Sequence, residues 1–307
     1  MLSKAKPSPG VAPYYFINVS KRWDPGSTVS IAFRGGTPEL HRQIAQVAAL
    51  WTLHGNVGLD FGFEPSKGYR QWEPTATGPV PDIRIGFDSG GYWSCVGRGS
   101  VDGACAASNE TSMNLGGFDQ WLPPNWQSIV LHEFGHALGF EHEHQMPQGG
   151  CESEFLWDGD AGYIDTKDSY GQFTKDSSGR RPGIYRVLGG PPNNWSRDRV
   201  DFNLRKITPS SAFETSALDN QSIMKYDFPE WMYRNGRQSS CFSTRNDDLS
   251  QLDRVGMLRL YPRHPQDILS SIRERVAAVS ALRAAPDLPT DLKAQFGTRL
   301  RDLGTAK

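Results

Sequence analysis

Apolar and polar residues alternate along TVSIAFRG, residues 28–35, and that period of two predicts a half-buried strand. The period then changes. In PELHRQIAQVAALWTLHG the apolar residues Ile44, Val47, Ala48 and Trp51 fall three and four apart, which predicts a helix with one buried face. DFGFEP (60–65) and PDIRIGFD (81–88) read as two further short strands, separated by a turn-rich stretch around GYRQWEPTATGP. A glycine-rich loop is expected from Gly90 to Gly103, then a strand in TSMNLGGF (111–118). PPNWQSIVLHEFGHALGF follows as a helix with Asn125 as its N-cap and Gly139 at its end.

Periodicity then fades. Residues 145–221 are dense in Gly, Pro, Asp and Ser and predict long loops stiffened by short helices. SQLDRVGMLRLYP restores a helical pattern, with Ser250 and Asp253 spaced as in a capping box. Residues 1–13 hold three prolines and predict a flexible leader. Apolar residues at 268, 272, 276, 279 and 282 predict a helical C-terminal extension over 263–307. It is expected to pack on the body as a helical hairpin, with docking to a partner as the alternative.

Composition narrows the function classes. The chain has 307 residues, of which 37% are hydrophobic, enough for a two-lobed domain with an appendage. Its 33 basic and 34 acidic residues leave a net charge of -1, so no field draws it to nucleic acid. The longest apolar runs, such as IAQVAAL, fall short of the roughly 18 residues a membrane span needs, and a soluble protein is expected. MLSKAKPSPGVAPYYF has no apolar stretch behind its lysines, so no secretory signal is visible in this chain. Four cysteines lack the close spacing of a thiolate metal site. The glycine-rich segment between Cys95 and Cys105 favours pairing those two, leaving Cys151 for Cys241; the alternative is four reduced thiols. The sequons at Asn18, Asn109, Asn194 and Asn220 are too short a pattern to carry weight.

LHEFGHALGFEHEH, residues 131–144, concentrates four histidines and three glutamates. On a helix, His132 and His136 lie one turn apart, about 40° around the axis, so both imidazoles reach one ion. Glu133 sits beside them, placed to hold a water without ligating. Gly139 is where the chain can turn back in a left-handed conformation, returning His142 as a third ligand. Three nitrogens leave one position of a tetrahedral zinc open, which marks a catalytic site. This spacing arises by chance on the order of once in 10⁵ such sequences. His144 has no such spacing and is expected to take a supporting or solvent role, and His41, His54 and His264 are expected to be surface or packing residues.

HEFGHALGFEH resembles the HExxHxxGxxH signature of the metzincin zinc peptidases. SIMKY, residues 222–226, resembles their methionine turn, with Met224 as the turn residue. Tyr226, two residues on, and Glu143, directly after the third histidine, are similar to the astacin branch, as is WSCVGR at 93–98. The resemblance covers residues 15 to about 262. It implies an α+β zincin fold over 14–262, with an upper lobe (about 14–142) of mixed twisted sheet and active-site helix, and a smaller irregular lower lobe (about 143–262).

The activity implied is that of a zinc metalloendopeptidase. One catalytic zinc on His132, His136 and His142 would activate water, Glu133 would be general base, and Tyr226 would help stabilise the oxyanion. Met224 would form an apolar floor. The last strand before the helix, with Ser112, Met113, Asn114, Leu115 and Gly116, would be the edge to which an extended peptide adds. The 81 residues between His142 and Met224 imply an insertion that shapes or covers the primed side of the cleft. The expected protein is a monomer acting on protein or peptide substrate outside the cell, or delivered as an effector. A zinc-dependent binding module with a blocked cleft is the alternative.

Overall fold

Thr37 starts the first helix: its side chain accepts from the Leu40 N–H at 3.2 Å, and Pro38 follows where no intrahelical donor is needed. The resulting α1 (Pro38–Thr52) buries Ile44, Val47, Ala48 and Trp51 completely, the stripe that its apolar spacing predicts. The computed structural model describes residues 15–263 except 76, 89, 150 and 216, together with 276–277, 279–281, 284 and 290–305. The expected leader at 1–13, His264, and the stripe positions Ile268, Ile272 and Leu282 lie outside the described residues.

Five strands form the main sheet in the order β3-β2-β4-β6-β5. β2 (Thr28–Phe33) lies parallel between β3 (Gly58–Asp60) and β4 (Ile83–Gly86), and β4 pairs in parallel with β6 (Met113–Leu115). β5 (Tyr92–Ser94) runs antiparallel along β6 and closes that side. A separate antiparallel pair joins β1 (Phe16–Asn18) to β7 (Phe213–Thr215).

This order corrects the expected substrate edge. Ser112–Gly116 is not at the rim: β6 is bonded on both sides, and Ser112, Met113, Asn114 and Leu115 are buried. The edge is β5, inside the segment read as a glycine-rich loop, with Tyr92 and Trp93 exposed by 42% and 40%. A strand of three residues, Tyr92–Ser94, is too short for alternation to register.

The interior has two parts. The first core gathers the main sheet, α1, α2 (Trp126–Ala137) and α6 (Gln251–Leu260) around Phe33, Trp51, Phe134 and Phe140. α6 carries the expected capping box, Ser250 with Asp253. Asn125 stands at the N-cap of α2, but its side chain makes no capping bond, and its carbonyl accepts from Ser128 and Ile129 instead. The second core lies within the long segment after His142. Phe155, Ile184, Val200 and Leu204 pack with Phe228, Met232 and Tyr233, framed by the short helices α3 (Cys151–Glu154), α4 (Ile184–Gly189) and α5 (Arg197–Leu204).

Both expected disulfides are formed, Cys95–Cys105 and Cys151–Cys241. The second spans 90 residues and holds the ends of the lower segment together. In the chain-entropy view a loop of that length contributes about 4–5 kcal/mol. At the far end, Val279 and the helix α7 (Thr290–Thr305) add to the first core through Val279, Leu292 and Phe296, all buried. The tail therefore packs on the body through these residues.

Candidate active site

α2 carries His132 and His136 on one face, their ring centroids 4.8 Å apart. Gly139 ends the helix at φ +100°, a conformation that costs a side-chain-bearing residue energy. The reversed chain is pinned by β1: the Asn18 N–H donates to Gly139 O at 2.8 Å, and the Glu141 N–H donates to Phe16 O at 3.0 Å. His142 comes back from that turn with its Nε2 3.2 Å from Nε2 of His132 and 3.0 Å from Nε2 of His136. Among the described residues this is the one group of three side chains close enough to share an ion.

Each ring is oriented from behind. His132 Nδ1 lies 2.8 Å from Ile223 O and His136 Nδ1 lies 2.9 Å from Phe140 O. A carbonyl only accepts, so both Nδ1 atoms carry the proton and both Nε2 atoms keep a lone pair. Lone pairs facing one another at 3.0–3.2 Å repel, and a shared cation turns that repulsion into ligation. A tetrahedral zinc bound at about 2.0–2.1 Å would hold its nitrogens about 3.3 Å apart, so the donor set fits. Burial pushes His132 down to about 4 and holds His136 and His142 well below the ordinary imidazole range, leaving all three in the neutral form that binds metal.

Glu133 projects into the same space, with Oε2 buried and unpartnered. Burial raises its carboxyl to about 8. A carboxyl whose Oε2 has no protein partner, beside three converging imidazoles, is placed to take a proton from whatever enters once a cation held there favours its ionised form.

The methionine turn lies underneath. Met224 is completely buried, and a Cβ on Gly135 would come within 2.3 Å of its Sδ. Glycine in a helix interior costs roughly 1 kcal/mol relative to alanine, and here it admits the turn to the helix backbone. The turn is wired to α6: Asp253 accepts from Ser222 Oγ at 2.6 Å and from the Ile223 N–H at 3.0 Å. The carbonyl of that same Ile223 orients His132. Glu143 is buried and accepts from the backbone N–H of Asp219 at 3.4 Å and from that of Phe16. Its own N–H donates to Met224 O at 3.2 Å.

Tyr226 packs against the ligands, its ring centroid 4.4 Å from that of His142 and 5.4 Å from that of His132. Burial raises its phenol well above the usual range, so it stays protonated and able to donate. His144 is fully buried, with Nε2 2.9 Å from Asn203 O, and its ring stacks at 5.1 Å on His142. It supports the site without joining the triad. His41 stacks on Phe33 at 4.0 Å, the packing role expected of it.

Two cavities flank this centre. The larger, about 620 Å³, lies along β5 and is walled by residues 201–203 and 205–207. The smaller, about 280 Å³, lies beside Asn125, Ile129 and Asp227. Tyr92, Glu133 and Tyr226 border both, so one cleft passes across the triad. No residue of Ser112–Gly116 lines either cavity.

No protein-family model and no curated protein matches the chain. Among solved structures it is similar to one described as the structure of myroilysin, at 29% identity and a TM-score of 0.59, over 81% of this chain and 99% of that one. A crystal structure of myroilysin aligns at 29% identity and a TM-score of 0.49, over 80% and 87%. High choriolytic enzyme 1, a hatching enzyme zinc-protease from Oryzias latipes (medaka fish), aligns at 14% identity and a TM-score of 0.41, over 80% and 96%. With the histidine triad, glycine turn and methionine turn assembled, the chain has the metzincin-like α+β fold that its signature implies.

Proposed function

We propose that the protein is a zinc-dependent endopeptidase, with His132, His136 and His142 holding one zinc and Glu133 acting as general base. The observation that carries this reading is the unpartnered carboxylate oxygen of Glu133, buried beside three inward-facing imidazole nitrogens in a cleft open on both sides. A bound zinc supplies Lewis acidity toward a carbonyl and acidifies water. Glu133 takes the proton and returns it to the leaving amine, and the protonated Tyr226 donates to the oxyanion as it develops. An extended peptide adds to the β5 edge, where Tyr92 and Trp93 stand exposed, and two disulfides favour an oxidising compartment outside the cytosol.

The test is cleavage of casein by zinc-loaded protein, by protein stripped with a chelator, and by stripped protein with zinc restored. Activity that disappears on stripping and returns with zinc supports the reading. Intact casein in all three tubes, with one zinc per chain in the loaded and restored protein, points instead to the binding module.

Tyr226→Phe separates two roles for the phenol. Loss of one oxyanion donor costs about 10²-fold in kcat while zinc content stays unchanged. Loss of zinc in the variant would instead make the hydroxyl part of metal binding.

A further inference from the structure

The residues just after the third histidine grip the lower lobe. The Gln145 Nε2 donates to Phe202 O at 2.8 Å and to Arg205 O at 2.9 Å, while Oε1 lies 2.9 Å from His142 Nδ1. Its backbone carbonyl accepts from the Ile207 N–H at 2.8 Å, and next to it His144 reaches Asn203 O at 2.9 Å. The side chain is buried, so every polar atom of the amide must find its partner in the protein.

The two ends of an amide have nearly the same shape, so its orientation has to be argued. Here two carbonyls face one end. Carbonyls only accept, so that end is the NH₂ group and the oxygen must face His142. The oxygen can only accept as well, which places the His142 proton on Nδ1 and leaves Nε2 with its lone pair toward the triad. The other two ligands take their orientation from the backbone carbonyls of Ile223 and Phe140. His142 alone is set by a side chain, and that side chain is anchored on the last turn of α5 and its C-cap Arg205.

We infer that Gln145 is the positioning residue of the third ligand. It fixes the plane and tautomer of His142 and ties both to Phe202 and Arg205, which wall the larger cavity. The metal site and this cleft wall are thereby one hydrogen-bonded unit. The inference rests on the zinc reading above.

The experiment measures zinc affinity by competition with a chromophoric chelator on the full chain, for wild type, Gln145→Leu and Gln145→Glu, with thermal melts of each. Leucine removes the acceptor, and zinc should bind about 10- to 100-fold more weakly. Glutamate still accepts from Nδ1–H while giving up both donors to the lower lobe, so affinity should return to within about 3-fold of wild type. Wild-type affinity in Gln145→Leu would overturn the inference. So would equal weakening in both variants, because the acceptor would then not matter. Should the leucine variant fail to melt cooperatively, the glutamate variant decides: weakening of about 10-fold or more overturns the role. Failure of the wild type itself to bind zinc would instead overturn the reading of the triad.

Discussion

Glu133→Gln is expected to lower kcat/KM on a protein substrate by about 10²–10⁴ while zinc content stays at the wild-type level. The substitution keeps the volume of a buried side chain and removes its capacity to accept a proton. Glu133 is not among the three converging nitrogens, so the metal has no reason to leave. The pH profile gives a second reading. Burial alone holds this carboxyl up to about 8, and an adjacent cation favours the ionised form and brings it down. The base works ionised, so kcat/KM rises with pH through the Glu133 pKa, and that acid limb is absent from the glutamine variant. Zinc loss in Glu133→Gln, or an unchanged acid limb in its residual activity, would remove Glu133 from the role of base.

The largest effect on stability is expected from Arg84→Leu. Arg84 is completely buried in β4, and its guanidinium donates to the carbonyls of Glu110 (2.7 Å), Pro81 (3.0 Å), Ser100 (2.7 Å) and Ala107 (3.1 Å). One side chain thus clamps the segment that carries Cys105 and continues from β5. Leucine fills part of the volume and satisfies none of those acceptors. At roughly 1 kcal/mol or more for each carbonyl left without a donor, the variant should lose several kcal/mol. For a chain of this size that lowers Tm by about 10 °C. Because the clamp lies away from the histidines, KM for peptide should rise while zinc affinity holds. A wild-type melting curve would show that other donors, or water, satisfy these groups.

Arg84 also marks where sequence patterning stops being informative. In PDIRIGFD, alternation puts Ile83 and Ile85 inside and Arg84 toward solvent, yet both faces of this central strand are covered. Period two identifies a strand without saying whether its second face meets water or another layer. The metal site was far more legible. His132, His136 and His142 follow from helix geometry and one glycine turn, so local sequence carries the constraint. Gly135 and Gln145 were not legible, because one admits a methionine 89 positions later and the other reaches carbonyls 57 and 60 positions later. The edge strand β5 is not legible because a strand of three residues carries no period.

The separation into two cores bears on how such a protein can change. The helix with His132, Glu133 and His136 is seated in the first core, while α5, whose last turn walls the larger cavity, is seated in the second through Val200 and Leu204. Repacking the second core can reshape what the cleft accepts without altering the bed of α2, although Tyr226 packs against that second core and feels the change. Residues such as Phe202, 82% exposed at the cavity rim, are open to substitution at little cost in folding. Selectivity can therefore be diversified largely apart from the helix that carries the chemistry, with Gln145 and Tyr226 as the joints across which the two must still agree.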